Sequence, residues 1–178
     1  MIIILIGYMG SGKSHIAKVL SKKLGLKLID LDKEISRKNK MTITEIFQNK
    51  GEIFFRREEK NMLEEILARE VSCILSVGGG TPTYYNNMEI INQNSESFYL
   101  QANVATLTQR LLMQKAKRPL IAHIEDEKIP EFIAKHLFER NPFYARAKYV
   151  VNTDQKDPQV IVGEIIEQLQ SSSPSSFS

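Results

Sequence analysis

Gly7-Tyr8-Met9-Gly10-Ser11-Gly12-Lys13-Ser14 matches the phosphate-binding pattern G-x-x-x-x-G-K-S at every fixed position. The flanks give the match its structural meaning. Ile2-Ile3-Ile4-Leu5-Ile6 is a short β-branched apolar run, as in a strand buried on both faces of a parallel sheet. After the loop, Ile16, Ala17, Val19, Leu20 and Leu24 recur at helical spacing, with Lys18, Lys22 and Lys23 on the opposite face. Glycines at 7, 10 and 12 let main-chain N–H groups close around an anion, and the new helix adds the positive end of its dipole. Lys13 then reaches the β- and γ-phosphates, and the Ser14 hydroxyl is a hard oxygen ligand for Mg²⁺. At ordinary residue usage the string arises by chance in about one chain of this length in a hundred or fewer. The stretch is therefore read as a nucleoside-triphosphate site.

The bulk properties narrow what surrounds it. A chain of 178 residues with 42% hydrophobic and 25% charged content fits one globular domain with a substantial core. A net charge of +3 suits anionic small molecules and is too mild and dispersed for a nucleic-acid footprint. Cys73 is the only cysteine, which excludes an internal disulfide and fits a reducing compartment. No apolar run reaches membrane-spanning length, and Ile2–Ile6 is too short for a signal-peptide core. A soluble, cytoplasmic protein is expected.

Working outward from the loop, short strands alternate with helical patterns, the signature of an α/β fold with a mainly parallel sheet. Leu26-Lys27-Leu28-Ile29 reads as a second strand ending at Asp30-Leu31-Asp32. Strand alternation sets both aspartates on one side, where ligands sit in such folds. They are either a pair serving Mg²⁺ and an acceptor hydroxyl, or a helix N-cap plus a solvated charge. From Lys33 to Arg69 the pattern is helical, interrupted at Gly51, and Phe54-Phe55 leads into Arg56-Arg57-Glu58-Glu59. Those charges are either an exposed helix face or a guanidinium clamp for a carboxylate. Ser72 to Val77 reads as the third strand and runs into Gly78-Gly79-Gly80, a turn or a place of close ligand approach.

Phe98-Tyr99-Leu100 is the fourth strand, and Val104 to Lys115 a helix carrying Arg110. Pro119 stops helix continuation in the basic stretch Lys115 to Leu120, which is a solvated loop or a lid bringing Arg118 onto phosphate. Residues 121–130 read as exposed surface. Glu131 to Phe138 resumes a helix, leading to Arg140-Asn141-Pro142-Phe143-Tyr144. Tyr149-Val150-Val151 is the fifth strand, and Pro158 opens a last helix over Gln159 to Leu169. Ser171 to Ser178 is expected to be disordered. His15 lies beside Ser14 and is either a nucleotide contact or, the reading its position favours, a helix-surface residue. His123 and His136 read as surface residues, and the three histidines share no metal-ligand spacing.

In sequence these motifs resemble the shikimate kinase family over roughly residues 1–165. The resemblance rests on Gly7 to Ser14, Asp30-x-Asp32, Phe55-Arg56-Arg57-x-Glu59, Gly78-Gly79-Gly80, and Arg118-Pro119-Leu120 with Arg140-x-Pro142-x-Tyr144 beyond. It implies a five-stranded parallel sheet in order 2-3-1-4-5 flanked by helices, in one domain over 1–170. An acceptor-binding segment at about 33–61 and a lid at about 112–124 go with it. It implies transfer of the γ-phosphoryl group of ATP to the 3-hydroxyl of shikimate, in aromatic amino-acid biosynthesis, by a monomer using one Mg²⁺ ion.

By the same resemblance Gly10, Ser11, Gly12, Lys13, Ser14 and His15 hold nucleotide, and Ser14 and Asp30 serve the metal, Asp30 through water. Asp32 binds the acceptor hydroxyl and is the candidate base. Arg56 and Arg140 hold the carboxylate, Gly78, Gly79 and Gly80 line the acceptor, and Glu59 orients Arg56. Arg118 descends with the lid onto the phosphates, and Arg110 and Pro158 flank the adenine. Met9 and His15 depart from the commoner residues at their positions, and segment 121–130 is longer and more acidic than usual. Rival readings are a kinase for another polyol acid such as gluconate, a GTP-dependent switch and a nucleic-acid binder. The switch would need an Asn-Lys-x-Asp motif, and the binder a basic–aromatic stripe; the chain has neither.

Overall fold

A computed structural model describes residues 1–118 and 120–172 of the chain. Five parallel strands form its centre: β1 (Ile2–Ile6), β2 (Lys27–Asp30), β3 (Cys73–Ser76), β4 (Glu96–Gln101) and β5 (Tyr149–Asn152). They lie in the order β2-β3-β1-β4-β5, the order expected from sequence. Register pairs Ile4 of β1 with Leu75 of β3 and with Ser97 of β4, so the phosphate-loop strand is central and its carboxyl end opens between two neighbours. In a parallel sheet this is where a crevice forms, because connections leave the sheet in opposite directions.

Strand alternation sorts β1 into two cores. Ile2, Ile4 and Ile6 pack against α2 (Leu31–Asn39), α3 (Ile43–Leu67), α4 (Asn87–Asn94), α5 (Val104–Met113) and α6 (Ile129–Tyr144). Ile3 and Leu5 pack against α1 (Lys13–Leu24) and α7 (Pro158–Ser172). All five β1 side chains are buried, which explains why its sequence is continuously apolar rather than alternating. Cys73 is buried in β3 as a small core residue.

The break expected at Gly51 is present: its φ of 82° and ψ of 171° are non-helical, so α3 is two helical segments meeting at a kink there. Other boundaries depart from the periodicity reading. Thr42 and Glu45 close a reciprocal cap at the start of α3, Thr42 Oγ1 accepting from Glu45 N at 3.1 Å and Glu45 accepting from Thr42 N at 2.7 Å. The fourth strand is longer than Phe98 to Leu100, and α4 was not expected. The helix expected over Glu131 to Phe138 begins at Ile129 and continues through Pro142 to Tyr144. Tertiary contacts hold that extension: Tyr144 is fully buried, and Tyr99 Oη donates to Asn141 Oδ1 at 3.0 Å.

Segment 121–130 is not wholly exposed surface. Ile121 and Ile129 are fully buried, because the apolar side chains of this stretch turn into the core while its acids remain in water. Lys115 donates to Asp126 at 2.6 Å across the same segment. Pro119, the expected helix stop, and residues 173–178 of the serine-rich tail lie outside the described residues; Ser171 and Ser172 are the last residues of α7. No helix among the described residues is long and apolar enough to cross a membrane.

Candidate active site

The phosphate loop turns from β1 into α1 through Gly10 (φ 82°) and Gly12 (φ 94°), left-handed conformations that a side chain would strain. Gly12 caps α1, its carbonyl accepting from His15 N at 3.1 Å and Ile16 N at 3.0 Å. Lys13 Nζ lies over the loop and donates to the carbonyls of Gly7 at 2.5 Å and Tyr8 at 3.0 Å. Burial pushes the Lys13 ammonium down to about 7; Arg118 and Arg140 push the same way and Asp32 opposes them. Arg118 and Arg140 thus add positive charge around Lys13, with Asp32 as the opposing carboxylate acting on it, an arrangement that favours an anionic ligand.

A cavity of about 400 Å³ opens above the loop. Gly10, Gly12, Lys13, Ser14 and His15 line one side, and Asp30, Asp32, Gly78, Gly79, Arg110 and Arg118 the others. Arg110 ties α5 to the loop by donating to Gly10 O at 3.2 Å and to Thr153 O at 3.4 Å. Arg118 donates to Gln114 Oε1 at 3.1 Å. Pro158 opens α7 and is not among the residues lining this cavity.

The two aspartates reach the cavity by a route that alternation did not describe. The chain turns helical at Leu31, so Asp30 ends β2 while Asp32 stands in the first turn of α2. Leu31 is fully buried and both carboxylates line the cavity, so the predicted outcome holds through a strand–helix junction. Asp30 Oδ1 caps the helix by accepting from Lys33 N at 3.1 Å, which leaves its second oxygen for the cavity. The N-cap and the cavity-facing acid are thus the same residue. Asp32 Oδ1 is buried with no hydrogen-bond partner among the described residues. Burial pushes its carboxyl up to about 6, with Glu59 and Asp30 adding to the rise and Arg56 and Lys13 opposing it. A carboxylate held near neutral pH in a cleft has the properties of a general base.

Gly78-Gly79-Gly80 accommodates side chains from two helices. A Cβ on Gly80 would stand 2.8 Å from Arg56 Nη2, and one on Gly79 would stand 3.0 Å from Arg140 Nη1. The glycines therefore let two guanidinium groups, from α3 and α6, lie directly on the turn that follows β3. Arg56 Nη1 donates to Glu59 Oε2 at 2.9 Å, and the other Glu59 oxygen accepts from Thr81 Oγ1 at 2.6 Å. Glu59 is 1% exposed, so it serves as an internal orienting partner rather than a group reaching into the cavity.

Periodicity missed several supporting residues. Tyr144 Oη donates to Gly79 O at 2.6 Å and fixes the glycine turn. Tyr84 places its ring 4.0 Å from Arg56 Cζ. His136 is not a free surface residue: its Nδ1 lies 2.9 Å from Tyr8 Oη, and the two rings meet edge to face. Burial and the neighbouring Arg140 charge hold its imidazole below the usual range. The available signal was its position one helical turn before Arg140.

A family model for shikimate kinase matches residues 9–170. A shikimate kinase from Flavobacterium psychrophilum is 45% identical over 164 residues, covering 92% of this chain and 95% of the relative. Among solved structures, shikimate kinase from Bacteroides thetaiotaomicron superposes with a TM-score of 0.88 at 36% identity, covering 96% of this chain and 98% of that one. The Acinetobacter baumannii enzyme in complex with shikimate gives 0.86 at 32% identity, covering 98% and 95%.

Proposed function

The chain belongs to the shikimate kinase family, and from that premise we propose how its residues transfer the γ-phosphoryl group of ATP to the 3-hydroxyl of shikimate, giving ADP and shikimate 3-phosphate. The observation that carries the reading is the position of Asp32. Its Oδ1 is buried without a hydrogen-bond partner among the described residues, and the half-buried residue lines one cavity with Lys13 and lies by a glycine turn on which Arg56 and Arg140 rest.

Phosphoryl transfer asks the protein for in-line positioning and positive charge around the equatorial oxygens, with little covalent chemistry. Main-chain N–H groups of Gly10, Ser11 and Gly12, with Lys13, hold the phosphates; His15 and Arg110 border the nucleotide, and Pro158 is assigned to the adenine side. Arg118, on the segment we take as the lid at about 112–124, brings a further charge and helps exclude water. Ser14 Oγ and the Asp30 carboxylate are hard oxygen donors in one cavity, a set that suits Mg²⁺ held mainly by phosphate and water. When bound, the ion neutralises charge on the β- and γ-phosphates. Arg56 and Arg140 orient the acceptor by its carboxylate, with Gly78, Gly79 and Gly80 beneath it. Asp32 accepts the hydrogen bond of the attacking hydroxyl and takes its proton late in a loose transition state.

A coupled ADP-release assay with Mg·ATP tests the reading against shikimate, gluconate and no acceptor. Turnover with shikimate alone is the expected result; equal turnover with gluconate would remove Arg56 and Arg140 as the source of selectivity. The same reading has the enzyme acting as a cytoplasmic monomer without nucleic-acid or membrane partners, which sedimentation and oligonucleotide titration check.

A further inference from the structure

Arg56 must remain open to an incoming carboxylate, yet it already stands among carboxylates of its own helix. Glu59 is committed inside the protein to Arg56 Nη1 and Thr81. Glu52 is different: it is exposed, four residues before Arg56, and its Oε1 lies 3.6 Å from Arg56 Nε. Glu followed by a basic residue at that spacing is the favourable order for a helical ion pair. Closed, such a pair would present to Arg56 the same chemical group that the acceptor brings. The two stand at ion-pair distance without a hydrogen bond between them, since Arg56 Nε has no hydrogen-bond partner among the described residues.

The Glu52 oxygen nearest Nε is engaged elsewhere. Tyr84 Oη donates to Glu52 Oε1 at 2.7 Å. The Tyr84 ring lies 4.0 Å from Arg56 Cζ, within range of a cation–π contact. Tyr84 directly follows the 3-10 turn Thr81–Thr83, and that turn begins at Gly80, on which the guanidinium rests. The hydrogen bond to Glu52, and then burial, raise the Tyr84 phenol above its ordinary value, so it remains a donor throughout the working pH range.

We infer that Tyr84 is a positioning residue that tunes acceptor affinity: its ring supports the Arg56 guanidinium, and its hydroxyl keeps Glu52 from occupying Arg56 in place of the acceptor carboxylate. The inference rests on Arg56 being a carboxylate anchor of this kinase. Glu52 is thus an internal competitor, and the hydroxyl of Tyr84 sets how strongly it competes.

Steady-state kinetics with Mg·ATP and shikimate on the parent, Tyr84→Phe, Tyr84→Phe/Glu52→Gln and Arg56→Lys enzymes test it. Tyr84→Phe keeps the ring and frees Glu52, so the shikimate KM should rise roughly ten-fold, the range of a charge-assisted hydrogen bond gained by a competitor, while kcat and the ATP KM hold. Adding Glu52→Gln should bring the shikimate KM back to within about three-fold of the parent, because an amide competes weakly for a guanidinium. A loss confined to packing would not be relieved by Glu52→Gln, and that result would overturn the inference. An unchanged KM in Tyr84→Phe, with a raised KM in Arg56→Lys, would overturn the role of Tyr84 and leave the anchor standing. Unchanged shikimate KM in both would remove the anchor and the inference together.

Discussion

Replacing Asp32 by Asn should raise the stability of the ligand-free protein while removing most of its activity. The carboxyl is buried, its Oδ1 has no hydrogen-bond partner among the described residues, and its value rises from 3.8 to about 6. A folded value above the unfolded one means that the native state binds the proton more tightly. Ionised Asp32 therefore destabilises the fold, by an amount absent below about pH 4, growing between pH 4 and 6, and constant above. Between 3.8 and about 6, at about 1.36 kcal/mol per pH unit, the full cost is about 3 kcal/mol. The substitution recovers less than this, because Lys13 loses a favourable neighbour and the amide is itself a buried polar group, so about 1–3 kcal/mol is expected.

For a chain of this size that is a rise in Tm of roughly 3–10 °C at pH 8, shrinking to about half at pH 5. Thermal melts of both proteins at pH 5, 6.5 and 8 read the difference, and kcat should fall by about 10²–10⁴ in the same variant. A variant that is no more stable at pH 8, or whose gain does not change with pH, would refute the reading of Asp32 as a carboxylate held in the cleft at the expense of stability. A more stable variant with undiminished kcat would refute its catalytic role.

Three further outcomes follow from the same geometry. Lys13→Ala should lower kcat by roughly three orders of magnitude, since it removes a fixed charge from the transferring phosphoryl group, while calorimetric shikimate binding persists. The kcat/KM for shikimate should fall as pH drops through about 6, where Asp32 takes up a proton and can no longer accept one from the hydroxyl; a profile flat from pH 5 to 8 would count against it. Gly80→Ala sets a methyl 2.8 Å from Arg56 Nη2, so the flexible guanidinium must shift. It should raise the shikimate KM about ten-fold or more with a Tm change of only a few degrees, and a large loss of Tm with unchanged KM would show that the turn serves folding instead.

Legibility in the sequence followed the range of the interactions involved. The phosphate loop and its flanking strand and helix were readable because every requirement is local: glycine conformations, a buried strand and the first turn of a helix lie within twenty-four residues. The Asp30–Asp32 pair was read to the right cavity by the wrong geometry, since a strand–helix junction and strand alternation both turn Leu31 inward. The helix running through Pro142 and the burial of Ile121 and Ile129 were not readable, because the contacts that decide them come from β4 and the core rather than from neighbouring residues.

The chain alone thus determined the fold class, the strand order through its family resemblance, and the residue types that line the cavity above the loop. Tertiary structure decided how those groups are held and charged. Arg56 meets Gly80 and Tyr84, and its helix partner Glu59 meets Thr81, only after α3 packs beside the turn that follows β3. Tyr8 meets His136 across 128 residues. Asp32 acquires its raised value, and Lys13 its lowered one, from burial and from charges on distant segments. Desolvation and Coulomb interactions depend on distance in space, and a linear sequence specifies that distance only by folding.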